Sequence, residues 1–119
     1  MNKYLFVYRS KAADEAAISP EQMQEILKIW TDWINTGFQQ GWMVDPGDAL
    51  HPDGHVVHPD KTVTDGPFME AHEIVGGYSV IQCESYEAAV KIAKDCPGLL
   101  HGTVEIRHLA GVGGPPSES

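Results

Sequence analysis

The chain has 119 residues, 42% hydrophobic and 21% charged, which suits one globular domain able to bury roughly 65% of its unfolded surface. Eight basic side chains against seventeen acidic ones leave a net charge of −9, which argues against a nucleic-acid or anionic-membrane partner. The longest apolar run is Tyr4–Tyr8, far short of the ~20 residues of a membrane helix. With no secretory-leader pattern and only Cys83 and Cys96 as thiols, the expected place is a reducing cytoplasm.

Lys3 to Arg9 (KYLFVYR) is short, aromatic and β-branched, and reads as a central strand buried on both faces. Ser10 to Ile18 is a polar, alanine-rich link. Ser19-Pro20-Glu21-Gln22 combines a cap, a proline at the first helical position and a capping box. Met23, Ile26, Leu27, Trp30, Trp33, Ile34 and Phe38 recur at spacings of three and four. The pattern predicts a helix from Pro20 to about Gln40 with these residues as its apolar face and Gly37 and Gly41 as stop signals. At such spacing Trp30 and Trp33 read as core rather than as a ligand platform.

Gly41 to Asp60 is rich in Gly, Pro, Asp and His and reads as a long loop, which in a small domain tends to carry function. Val56–His58 and Thr62–Thr64 read as short strands around a Pro59-Asp60-Lys61 turn. Asp65-Gly66-Pro67-Phe68 should break the second of them, because Pro67 has no N–H for a ladder. Gly76-Gly77 permits a bend or a close approach, and Tyr78 to Cys83 is a further strand. Ser85 caps a second helix with Tyr86, Ala89, Val90 and Ala93 as its apolar face, ended by Cys96-Pro97-Gly98. Thr103 to Leu109 alternates as a last strand, and residues 111–119 (GVGGPPSES) read as a tail. Residues 1–110 therefore form one domain.

The order β-α-β-β-α-β is the split arrangement of an α+β, ferredoxin-like domain with a four-stranded antiparallel sheet. Two helices cover one face of such a sheet. The first strand is apolar on both sides, which predicts a homodimer through the other face.

Val63-Thr64-Asp65-Gly66-Pro67-Phe68-Met69-Glu70-Ala71-His72-Glu73, followed by Gly76-Gly77-Tyr78, resembles the signature of the DGPF-type branch of the YCII-related proteins. Val7-Tyr8, Ser19-Pro20-Glu21, Ser85, Cys96-Pro97 and Val104-Glu105-Ile106-Arg107 extend the resemblance over nearly the whole chain. It implies a cytoplasmic dimeric α/β barrel of ferredoxin-like units whose sheets pack face to face. In related branches it points to acid–base chemistry at an Asp–His pair in a cleft between sheet and helices. The family pattern usually has Lys where this chain has His72.

Asp65 is the first candidate catalytic residue. At a bend it can be aimed into a cleft as a general base, or it can accept turn N–H groups as an Asx turn. Glu70, His72 and Glu73 follow as acid–base candidates, or as a solvated loop. Tyr8, Phe68, Tyr78 and His101 are candidate substrate-binding residues, the tyrosines placing hydroxyls in the same cleft or serving as core rings. His51, His55 and His58 (HPDGHVVH) have helical spacing, but Pro52 and Gly54 oppose a helix, and in an extended chain His55 and His58 face opposite ways. No metal site is expected. Cys83 and Cys96 lack the helix N-terminus or cationic neighbour of a reactive thiol and read as packing residues. His108 reads as a strand-surface residue. No glycine-rich phosphate loop precedes a helix, and no cofactor is expected. Two functions remain open: a small-molecule acid–base enzyme of lyase, isomerase or hydrolase type, or a non-catalytic dimeric module that senses a small molecule or assists a partner protein.

Overall fold

The computed structural model describes residues 1–11, 18–66 and 74–111. Its centre is β1 (Asn2–Ser10), which pairs antiparallel with β5 (Ile74–Cys83) on one side and β6 (Gly102–His108) on the other. The uniform apolar character of residues 4–8 is what an interior strand requires. A short edge strand, β2 (Met43–Asp45), pairs antiparallel with β5 and completes the order β2-β5-β1-β6. That order, with a helix after β1 and another after β5, is compatible with the ferredoxin-like arrangement read from the sequence.

Helix α1 (Pro20–Gln40) has the expected bounds. Ser19 Oγ accepts the Gln22 N–H while the Gln22 side chain accepts the Ser19 N–H, so two otherwise orphaned donors are satisfied. Gly41 ends the helix in the left-handed region, φ 85°. Helix α2 (Tyr86–Lys94) starts on Ser85, whose Oγ accepts the Ala88 N–H. A 3-10 turn, Pro97–Leu100, leads into β6.

Both helices pack on the same sheet face. Tyr4, Phe6 and Ile81 point there and are fully buried, joined by Trp33, Met43, Cys83, Ala89, Ala93 and Cys96. Trp33 stacks on Phe6 at 6.5 Å between centroids and meets Trp42 at 5.0 Å. The tryptophans are thus core, as their spacing indicated. Tyr4 is enclosed by Tyr86 and His108, with His108 stacked at 4.8 Å. His108 therefore belongs to the helix-covered face; the strand-surface reading is corrected.

Three further expectations are corrected. Only part of the α1 stripe is used: Trp33 is buried, but Met23, Leu27 and Phe38 are exposed. The helix meets the core at its middle, through Trp33 with Trp30 and Ile34 beside it. Likewise Tyr86 and Val90 stay exposed on α2, where Ala89 and Ala93 make the buried contact. Third, the stretch from Gly41 to Asp60 is not one loop. It holds β2, which supplies the sheet edge, and β3 (Gly54–Val57). The hairpin of β3 with β4 (Val63–Gly66) is a separate two-stranded sheet outside the four-stranded one. β4 ends at Gly66, immediately before Pro67, and residues 67–73 lie outside the described residues.

Among the described residues no helix lies on the second sheet face. Leu5 lies between Val80 and Arg107, and Val7 between Tyr78 and Glu105. β1 is therefore buried on one face and half-buried on the other, which corrects the expectation of burial on both.

Candidate functional site

The candidate residues fall into three places: a projecting hairpin, a buried polar chain under the helices, and the open sheet face.

The hairpin is built by local chemistry. Its register pairs Gly54 with Gly66, His55 with Asp65, Val56 with Thr64 and Val57 with Val63. Asp60 Oδ1 accepts from both the N–H and the hydroxyl of Thr62, which holds the Asp60 carboxyl below its usual range. Lys61 takes the left-handed conformation, φ 72°, that closes the turn. His58 Nε2 meets Thr64 Oγ1 at 2.9 Å.

Alternation puts His55, Val57, Val63 and Asp65 on one hairpin face. That face is open to water. The Asp65 side chain is 99% exposed and lies 3.6 Å from His55 Nδ1, whose side chain is 71% exposed. Val57 is 69% and Val63 59% exposed. Asp65 is thus aimed into solvent beside a histidine; the reading of Asp65 in a cleft between sheet and helices is corrected. His58 bonds to Thr64, on the face opposite His55, and His51 is exposed nearby. Among the described residues no three His, Cys, Asp or Glu side chains group as metal ligands. Phe68, Glu70, His72 and Glu73 lie outside the described residues.

The buried polar chain begins at Tyr8. Its hydroxyl donates to Ser79 Oγ at 2.8 Å, and Ser79, fully buried, donates to the Pro46 carbonyl at 2.7 Å. The ring of Tyr8 meets Trp30 edge-on at 4.9 Å. Gly98 crosses so close that a Cβ would sit 3.0 Å from Tyr8 Cδ1. Burial, and then the neighbouring Cys96 thiol, push the phenol well above its ordinary pKa. Burial likewise pushes the Cys96 thiol up to about 11, although its sulfur accepts the Gly98 N–H. Burial also raises the Cys83 thiol, whose sulfur donates to the Ser85 carbonyl. At neutral pH every member of this cluster is uncharged. It can donate and accept hydrogen bonds, but it holds neither a thiolate nor a phenolate. The packing reading of both cysteines stands on this geometry.

Pro46 is brought in by a strap over the start of β5. Gly47 N–H and Ala49 N–H are held by the carboxylates of Asp45 and Asp48. Leu50 N–H donates to the Gly76 carbonyl, and Tyr78 N–H to the Asp48 carbonyl. Gly47 adopts φ 72°, and a Cβ on it would collide with the Tyr78 carbonyl oxygen. On the facing strand, a Cβ on Gly77 would lie 2.8 Å from the Asp48 carbonyl oxygen. This is the close approach that the Gly76-Gly77 pair signalled. Ser79 and Pro46 escaped the sequence reading. The available signal was a small hydroxyl at an inward position of an apolar strand, which burial forces to find a partner.

Tyr78 does not share this site. Tyr8 points under the helices, whereas Tyr78 pairs with Val7 and points to the open face, where it is 36% exposed. The expectation that both hydroxyls meet in one cleft is corrected. His101 follows the 3-10 turn and is exposed. The open face itself has an apolar centre, Leu5, Val7, Tyr78 and Val80, flanked on β6 by a charged group. Arg9 Nε reaches Glu105 Oε1 at 3.0 Å and Arg107 reaches Glu105 Oε2 at 3.4 Å. The Arg9 bond, and then that of Arg107, lower the Glu105 pKa.

A family model of the YCII-related domain matches residues 5–111. The chain belongs to the YCII-related family. The match runs from β1 through the end of β6, so it takes in the hairpin as well as the sheet and both helices. A comparison with curated proteins gives no match. Among the described residues no helix is long and apolar enough to cross a membrane.

Proposed function

We propose that this YCII-related chain is a small-molecule-binding module of the DGPF branch that works as a homodimer, its two sheets packed open face to open face as a dimeric α/β barrel. The observation that carries the reading is the sheet itself. Both helices cover one face, while Leu5, Val7, Tyr78 and Val80 leave an apolar centre on the other. An apolar surface of this kind is stabilised by a partner, at about 25 cal/mol per Å² removed from water. A twofold pairing is the simplest closed solution, because the same patch then serves both copies.

The binding reading is favoured over a self-contained enzyme by the state of the titratable groups. The interior cluster Tyr8–Ser79–Cys96 is neutral, and the acid–base pair His55–Asp65 stands in bulk water. A general base in bulk water has no held substrate and no excluded-water site to work in. The second reading, an acid–base enzyme using Asp65 with Glu70, His72 and Glu73, is favoured by one observation: Asp65 does face a histidine, at 3.6 Å. Tyr8, Phe68, Tyr78 and His101 remain its proposed substrate contacts, and the place of action is the cytoplasm.

Sedimentation analysis of wild type and Val7→Glu tests the dimer. The expected result is a dimeric wild type and a folded, monomeric variant. A monomeric wild type at all concentrations, or a dimer indifferent to Val7→Glu, refutes it. A ligand-library thermal-shift screen on the wild type and Asp65→Asn separates the two readings. Ligand shifts that survive Asp65→Asn support binding without Asp65 chemistry, and their loss favours the enzyme.

A further inference from the structure

The β3–β4 hairpin is well formed yet unsupported on one side. A two-stranded hairpin alone is marginal in water and gains its stability by packing a face on something else. Among the described residues nothing packs on the face that carries His55, Val57, Val63 and Asp65. Val57 and Val63 are directly paired across the strands, so their side chains form one continuous apolar spot. The hairpin follows the strap, whose last bond to the body runs from Leu50 N–H to the Gly76 carbonyl, at the end of the sheet where Ser10 pairs with Ile74 and Gly102.

Charge says what would receive it. Residues 51–66 carry Asp53, Asp60 and Asp65 against the single cation Lys61. The open sheet face runs the other way, in a protein whose net charge is −9. Among the described residues that share this face, Lys3, Arg9 and Arg107 of β1 and β6 stand against Glu105, while the other carboxylate, Asp45, sits across the sheet on the β2 edge beside Val80. Arg107 is the freer of the two arginines, with a 3.4 Å bond to Glu105 against 3.0 Å for Arg9. An acidic arm with an apolar spot and a basic flank beside an apolar patch are complementary surfaces. Within one chain they do not meet, since Asp65 is solvent-exposed.

We propose that the β3–β4 hairpin is an arm that closes over a second copy of this chain, laying its Val57–Val63 and His55–Asp65 face against the Arg9–Arg107 flank of that copy's open sheet face. This inference rests on the dimer reading above and adds to it. The pairing is reciprocal, so each dimer holds two identical arm contacts. The His55–Asp65 pair leaves bulk water only when the partner covers it. Any binding role of that pair then belongs to the dimer, with one copy giving the arm and the other giving the guanidinium groups.

The test is a charge-reversal cycle read by sedimentation on the full chain. Asp65→Lys and Arg107→Glu should each weaken the dimer by about tenfold or more in Kd. The double variant should recover most of the loss, because both contacts are then reversed together. Val57→Ser with Val63→Ser should weaken the dimer without any change of charge, which covers the case of a misfolded reversal variant. A wild-type dimer that is dissociated by Val7→Glu but unaffected by all the arm variants overturns the arm while leaving the sheet-face dimer standing. Single reversals that weaken the dimer, with no recovery in the double variant, overturn the pairing of arm and flank. A monomeric wild type overturns the arm and the dimer together.

Discussion

The body and the hairpin of this molecule are made by different physics. In the body, each inward side chain has a neighbour and the buried hydroxyl of Ser79 is used twice, as acceptor from Tyr8 and donor to Pro46. In the hairpin, the turn and the register are set by a few local bonds, while its valines and its His55–Asp65 pair face water. The body is stabilised by burial, strongly enough to enclose the Tyr4 hydroxyl and the Trp33 ring N–H without a hydrogen-bond partner. The hairpin is held by turn chemistry and leaves its valines and the His55–Asp65 pair exposed. Substitutions in the two regions should therefore differ in size and in kind. Comparisons belong at one protein concentration, since the proposed dimerisation would add to apparent stability.

The largest effect is expected at the centre of the body. Phe6 is fully buried and stacked on Trp33, so Phe6→Ala should cost about 3–5 kcal/mol in denaturant unfolding. Ser79→Ala should cost about 1–3 kcal/mol, because it strands the buried Tyr8 hydroxyl and the Pro46 carbonyl. A cost near zero would show that this chain is not tightly held.

The Cys96 thiol gives a pH signature. Its folded pKa lies near 11 against an ordinary 9.0, so between these values the unfolded chain has lost a proton that the folded chain keeps. Stability is therefore fully present below about pH 9 and falls as pH rises toward 11, by on the order of 2 kcal/mol. Tyr8, also raised, adds to the fall with the same sign. Cys96→Ala should flatten the unfolding free energy across this window, whatever its effect at neutral pH. An unchanged slope would contradict the burial argument. The smallest effect belongs to the hairpin: at a concentration low enough to keep the chain monomeric, Asp65→Asn should change unfolding stability by no more than about 0.5 kcal/mol, as expected of a side chain 99% exposed in the single chain. A larger loss would mean that Asp65 is a turn-forming residue after all.

Much of the body was legible because its signals are local and redundant. Ser19 and Gln22 announce the start of α1 and Gly41 its end, and Ser85 does the same for α2. β2 was hidden, since Met43–Asp45 is only three residues set in a Gly/Pro/Asp-rich stretch. The facing of the tyrosines was hidden for a different reason. Both alternations of residues 4–8 are apolar, so the sequence pattern cannot tell which one meets the helices. The bulge between Tyr8 and Arg9 adds to the ambiguity. The strap was signalled only by Gly47 and Gly77, whose need is set by a contact between segments distant in the chain. The His55–Asp65 pairing depends on the hairpin register, which the Pro59-Asp60-Lys61 turn suggested without fixing which residues would face each other.

The central claim is that the open sheet face is covered by a second copy. Small-angle X-ray scattering with absolute intensity calibration tests it most directly. The account predicts a forward-scattering mass twice the 13.0 kDa of one chain and a radius of gyration clearly above the 15.9 Å of a single copy. A mass of one chain, with a radius near that of the single copy at every concentration, would contradict it.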